Sequence, residues 1–185
     1  MSDGGPIQLT GFYGGPGLKW NPNVQSNFEA LWADDTAQEP LGHQLLREAK
    51  QIQYQNQRSA LLIAYTALEI GLKHHISAVA PNAAWLAKYA PSPPIDKILR
   101  EYLPELHAGK ESIKNWGAIN SEFSSVGKFS KDRNRLAHRG QPIEGSLREY
   151  LRLSQDLLYA FDVLEGRDWA KSCVSQSLRK SLGWA

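Results

Sequence analysis

An α-helical bundle is the fold this sequence predicts, and three observations carry the prediction. Apolar residues recur at helical spacing through most of the chain after residue 40, strand-like alternation is almost absent, and prolines sit between the periodic stretches. The chain has 185 residues, 42% hydrophobic and 22% charged, the mix of an ordinary globular domain. A chain of that length buries roughly 70% of its unfolded surface, so a bundle of four to six helices needs no staple. The expected division is an arm with a short helix over 1–39, the helical bundle over 40–165, and a C-terminal helix over 166–185.

Residues 1–22 hold six of the 15 glycines together with Pro6, Pro16 and Pro22. They read as an irregular arm with room for a β-hairpin, a strand at 7–10 and a turn at 14–17. Asn23 is placed to cap a short helix carrying Val24, Phe28, Leu31 and Trp32. No proline interrupts 41–80, where Leu45, Ala49, Ile52, Ala60, Ile63, Ala67 and Ile70 form one stripe, broken only by Asn56. A second stripe, Leu61, Tyr65, Leu68, Leu72, Ile76 and Val79, lies on a neighbouring face, as in a helix packed on two sides. The glutamine-rich piece 51–57 is apolar on one side only and marks a projection or a bend. Residues 81–92 read as a connection with a helical turn at Trp85 and Leu86. Pro94 suits the first turn of a helix ending at Pro104. The next helix is expected from Lys110 through Ile113, Trp116, Ile119, Phe123 and Val126, continuing past Gly127 into Arg133, with Gly140 and Pro142 as its stop. A helix from Glu144 to Glu165 follows, ended by Gly166. Trp169, Cys173, Val174, Leu178 and Leu182 mark a last one.

Composition excludes several classes of function. A single cysteine, Cys173, allows no internal disulfide and no thiolate zinc site. No apolar run approaches the roughly 20 residues of a membrane span, and the first residues have neither the basic start nor the apolar core of a secretory signal. The expectation is a cytoplasmic protein with no membrane partner. Phosphate loops, dinucleotide fingerprints and nucleophile elbows are missing, so neither cofactor nor metal is called for. His74 and His75 point about 100° apart on a helix and read as core-edge or surface residues. His43 and His107 stand alone in the sequence and read the same way.

Charge is uneven along the chain. Residues 1–109 carry 8 Lys and Arg against 10 Asp and Glu, whereas 110–185 carry 13 against 9. Within 126–140, Lys128, Lys131, Arg133, Arg135 and Arg139 face the single acid Asp132. That density attracts phosphates, or it is simply a solvated helix face. His138 stands in this run, one helical turn after Asn134 and just before Gly140. On an unbroken helix Arg133 and His138 lie about 140° apart, so they converge only if the helix end unwinds or a second copy completes the site.

Arg133-Asn134, three residues, then His138, at a helix end of an all-α domain, resembles the HEPN superfamily (higher eukaryotes and prokaryotes nucleotide-binding). The resemblance covers about residues 40–165 and includes the helix 64–73 with its acidic residue Glu69. It implies a metal-independent endoribonuclease of stress response, toxin–antitoxin or phage-defence type. In that picture His138 moves protons near neutral pH and Arg133 grips the phosphate. Asn134 orients the phosphate or the imidazole, and Lys128, Lys131, Arg135 and Arg139 hold flanking RNA phosphates. Glu69 either orients Arg133 as a supporting partner or pairs with Lys73 one turn on. A homodimer with a composite site is expected, its interface helped by Trp116, Phe123 and Phe129, with an antitoxin or regulatory protein as a further partner. Gly140 stands where toxins paired with a nucleotidyltransferase often carry tyrosine. An inert dimerisation or nucleotide-binding module of the same fold is the alternative.

Overall fold

The computed structural model describes residues 39–83, 85, 89 and 93–184. Residues 39–185 form one compact unit. The arm, its strand and the helix capped by Asn23 lie outside the described residues, as does most of the connection at 84–92. Among the described residues the fold is all-α and contains no strand.

Two antiparallel helices open the unit. Helix α1, Leu41–Ile52, and α2, Gln57–Val79, are joined by a short turn. The bend falls in the glutamine-rich piece, because Asn56 leaves the helical region and its side chain accepts a bond from the Ser59 N–H at 3.0 Å. An Asn at that position satisfies a donor that the new helix leaves open. Both apolar stripes of α2 are used, one against α1 and one against the later helices, and Ala60, Leu61, Ala64, Ala67, Leu68 and Leu72 are fully buried. At the crossing the backbones come close. A Cβ on Gly42 would stand 3.0 Å from the Ala67 carbonyl oxygen and 3.2 Å from the Gly71 Cα, while one on Gly71 would meet the Leu158 side chain of a later helix, 2.1 Å from its Cδ2.

Pro94 precedes α3, Ile95–Lys97, which passes through a π turn, Ile98–Tyr102, into α4, Leu103–Leu106. The sequence places the helix end at Pro104, yet the chain stays helical two residues further. The wide π turn accommodates the proline, whose ring and missing N–H disrupt an ordinary α-helical turn. The following helix begins later than expected. Residues 110–119 form two 3₁₀ turns, Glu111–Ile113 and Trp116–Ile119, with Trp116 anchored by its indole N–H to the Leu99 carbonyl at 2.8 Å. Helix α5, Asn120–Arg139, then runs unbroken through Gly127.

Helix α6, Leu147–Leu164, is capped by Ser146 and is the most enclosed element, burying Ser154, Asp156 and Asp162 along with its apolar residues. Last come a 3₁₀ stretch, Asp168–Cys173, and α7, Gln176–Leu182. The sequence reads one helix here. The chain instead extends at Val174, where the Asp156 carboxylate accepts from the Ser175 N–H at 2.7 Å. Trp184 closes the end, its indole N–H on the Ser112 carbonyl at 3.1 Å.

Trp116, Phe123 and Phe129 all lie in the core, none more than 2% exposed. The expectation that they help to bury a dimer interface is therefore wrong. Phe123 and Phe129 belong to the side of α5 that packs inward, and Trp116 stands in the 3₁₀ turn just before that helix. Among the described residues no helix is long and apolar enough to cross a membrane.

Candidate functional site

Helix α5 carries the basic run to its C-terminus, so the site is governed by how that end is held. The helix does not unwind. Gly140 takes the left-handed conformation at φ 61°, its N–H donating to the Leu136 carbonyl at 3.1 Å. Glycine meets that geometry without a Cβ penalty. Asp132, 4% exposed, ties down the loop beyond, its Oδ2 accepting from the Gly145 N–H at 2.8 Å and the Tyr150 hydroxyl at 2.9 Å. Gly145 has no room for a side chain, since its Cβ would fall 1.9 Å from that hydroxyl. Burial and the adjacent Asp132 carboxylate push the Tyr150 phenol well above its ordinary range, so it remains a donor.

Between α5 and the start of α6 lies an open groove of about 950 Å³. Asn134, His138, Lys128, Lys131, Arg135 and Arg139 all line it. Six of the eight sequence-predicted residues therefore share one concavity. Asn134 and His138, four residues apart, occupy the same side of the helix, as the period requires. Among the described residues Lys128, Lys131 and Arg139 have no ion-pair partner, whereas Arg135 is held by Glu144 from the loop. The opposing wall carries Glu149 as well but also Arg152, which pairs with Glu122 of α5, so the groove's excess of positive charge lies along α5.

Arg133 and Glu69 lie elsewhere. Arg133 lies on the side of α5 that meets α2, its guanidinium carbon 4.8 Å from the centre of the Tyr65 ring. Its Nη2 is 3.4 Å from Glu69 Oε2, and its Nη1 donates to Asn134 Oδ1 at 2.8 Å. Glu69 also takes Lys73 at 3.1 Å, so both sequence readings of this carboxylate describe real contacts. Behind Arg133 the rings continue inward. Tyr65 meets Phe129 edge-on at 5.2 Å, and Phe129 stacks on Tyr150 at 4.4 Å. The motif thus has two faces, a groove face with Asn134 and His138 and an α2 face with Arg133. The angular separation expected of an intact helix is what the structure has.

A second histidine cluster was not anticipated from sequence. His75 and His107 do not stand at the edge but in the interior, 0% and 1% exposed, with their Nε2 atoms 2.9 Å apart. His75 Nδ1 lies 2.9 Å from Glu165 Oε1, and the His75 ring stacks on Phe161. Desolvation, then the proximity of His75 and Lys110, depresses His107 to about 4, well below the usual imidazole value. His43 has a partner too, Asp162 at 3.0 Å, and Arg167 reaches both Asp162 and Glu165. His74, its neighbour in sequence, is exposed. One signal was available: His75 follows Leu68 and Leu72 by seven and three residues, on the apolar stripe of α2. Its partners, 32 and 90 residues away, left no trace in local sequence.

Among the described residues no three His, Cys, Asp or Glu side chains stand in a metal-binding arrangement. No protein-family model, curated protein or solved structure matches this chain.

Proposed function

We propose that the protein is a metal-independent endoribonuclease of HEPN type, acting on RNA in stress response, toxin–antitoxin or phage defence. The observation that carries the reading is the opening of Asn134 and His138 on one groove whose α5 wall holds Lys128, Lys131, Arg135 and Arg139. His138 accepts a proton from a ribose 2′-hydroxyl, whose oxygen attacks the adjacent phosphorus. The P–O bond to the 5′-oxygen breaks as that oxygen gains a proton, leaving a 2′,3′-cyclic phosphate and a 5′-hydroxyl. The α5 cations hold flanking phosphates without reading bases, so binding weakens steeply with salt.

Two proton-transfer roles need two groups, and the groove of one chain offers one histidine. A homodimer supplies the second from His138 of another copy across a two-fold axis. The reading also places the protein in the cytoplasm and leaves room for an antitoxin or regulatory partner. Incubation of purified protein with mixed RNA in a chelator tests it. Cleavage to cyclic-phosphate ends, lost in His138→Ala, is the expected result, and cleavage at undiminished rate by that variant refutes it. Light scattering alongside specific activity across a dilution series tests the composite site. A monomer with full specific activity refutes that part.

One observation favours a second reading, an inert module that dimerises or binds a nucleotide. Arg133 is engaged with Glu69 and Asn134 rather than facing the groove. Absence of any RNA cleavage together with a nucleotide-dependent rise in unfolding temperature would select it.

A further inference from the structure

We infer that Arg133 is a positioning residue, and that Asn134 is the group through which it acts on a phosphate in the groove. The inference rests on the ribonuclease reading for the identity of that phosphate, and its geometry stands apart from it. Helix α5 is intact through Arg139, so Arg133 and His138 project in different directions and Arg133 is not part of the groove wall. Its guanidinium is fixed on three sides, by the Tyr65 ring at 4.8 Å, by Glu69 Oε2 at 3.4 Å and by Asn134 at 2.8 Å. A guanidinium carries donors only, so the Asn134 atom facing it has to be the carbonyl oxygen. That contact decides which way round the amide stands. It commits Oδ1 to Arg133 and leaves the two N–H donors of Nδ2 for the groove that Asn134 lines.

A freely rotating asparagine would offer a phosphate oxygen its own carbonyl half of the time, a repulsive contact. Held by Arg133, it turns its donors to the groove, one turn before His138. The chain of contacts Lys73–Glu69–Arg133–Asn134 therefore carries the rigidity of α2 across to a substrate-facing amide. Arginine suits the task because its planar fork serves Glu69 and Asn134 together, which a lysine ammonium does not do with fixed geometry.

A double-mutant cycle tests this, read on two assays: cleavage of RNA, and binding of a short single-stranded DNA that has no 2′-hydroxyl to attack. Arg133→Gln should weaken both by about tenfold in the otherwise unaltered protein, and by less than about twofold once Asn134→Ala is present, because the two residues then act as one unit. Glu69→Gln should give a smaller loss that is likewise absent in the Asn134→Ala background. Equal losses in both backgrounds would mean that Arg133 meets the phosphate itself or only maintains the fold, and would overturn the inference. DNA binding with the expected non-additivity but no RNA cleavage would refute the ribonuclease reading and leave the positioning role standing. No binding of the DNA by the unaltered protein would overturn the substrate-facing role of Asn134.

Discussion

His138 stands exposed at the open end of α5 with cations around it. His75 and His107 face each other in the interior, bonded to one another, with His75 also bonded to Glu165. The first arrangement is open to anything that enters the groove. The second cannot be reached by a substrate, and its cost and its benefit are both paid in stability. The contrast shows why residue type alone says little about chemistry: an imidazole becomes a reagent or a structural tie according to what surrounds it.

The sharpest way to break the comparison is to truncate one histidine at each place. His138→Ala should reduce RNA cleavage by about 10²-fold or more and leave the unfolding midpoint within error, since an exposed helix-end side chain buries little. His107→Ala should do the reverse, lowering stability by about 2–4 kcal/mol through a cavity and an unpaired His75 nitrogen, with cleavage per folded molecule unchanged. Denaturant unfolding and turnover measured on the same preparations decide it, and a stability loss in His138→Ala would erase the distinction.

Acid should separate the two next. His107 is depressed to about 4 in the fold and titrates near 6.5 once unfolded, so the unfolded chain binds its proton first as pH falls. Its contribution is complete above about pH 6.5 and is lost progressively down to about pH 4, at most about 3 kcal/mol over that window. His107→Gln, which keeps a donor for His75 but does not titrate, should flatten that part of the profile, whereas His138→Ala should leave it unaltered. An identical slope in His107→Gln and the unaltered protein would show that the pair is not the source.

The smallest effect belongs to the carboxylates. Glu144, exposed in the loop, pairs with Arg135, while Glu165 holds the buried His75. An exposed ion pair contributes little, so Glu144→Gln should leave the unfolding midpoint unchanged and raise affinity for single-stranded RNA by about twofold as Arg135 is released. Glu165→Gln should instead lower the midpoint measurably. Equal behaviour of the two variants in thermal unfolding would count against the distinction.

What the sequence disclosed depended on the range of the interaction. The helical stripes of 41–80, the stop at Gly140 and the side of α5 shared by Asn134 and His138 are local, set by a period of 3.6 residues, and they could be read directly. The period left open whether the helix end unwinds; the structure shows it intact, and Arg133 accordingly turns away from the groove towards α2. The π turn around Pro104 and the 3₁₀ turns of 110–119 could not be read, because they answer to anchors such as Trp116 on Leu99. The inward packing of Trp116, Phe123 and Phe129 was missed because apolar spacing says that a face is buried, not against what. The His75–His107 pair depends wholly on contacts between distant segments.

The bare backbone at Gly71 has a mechanical consequence. Leu158 seats in a notch formed by Gly71, the one glycine of α2, with Gly42 of α1 beside it. The notch therefore indexes α6 along its own axis, like a detent on a sliding bolt. Tyr150 lies eight residues back, about 12 Å along the helix, under the carboxylate of Asp132. A slip of one turn would carry that hydroxyl out of reach and unfasten the loop that borders the groove. A methyl group at residue 71 should thus be felt at the distant end of α6, where the basic helix ends.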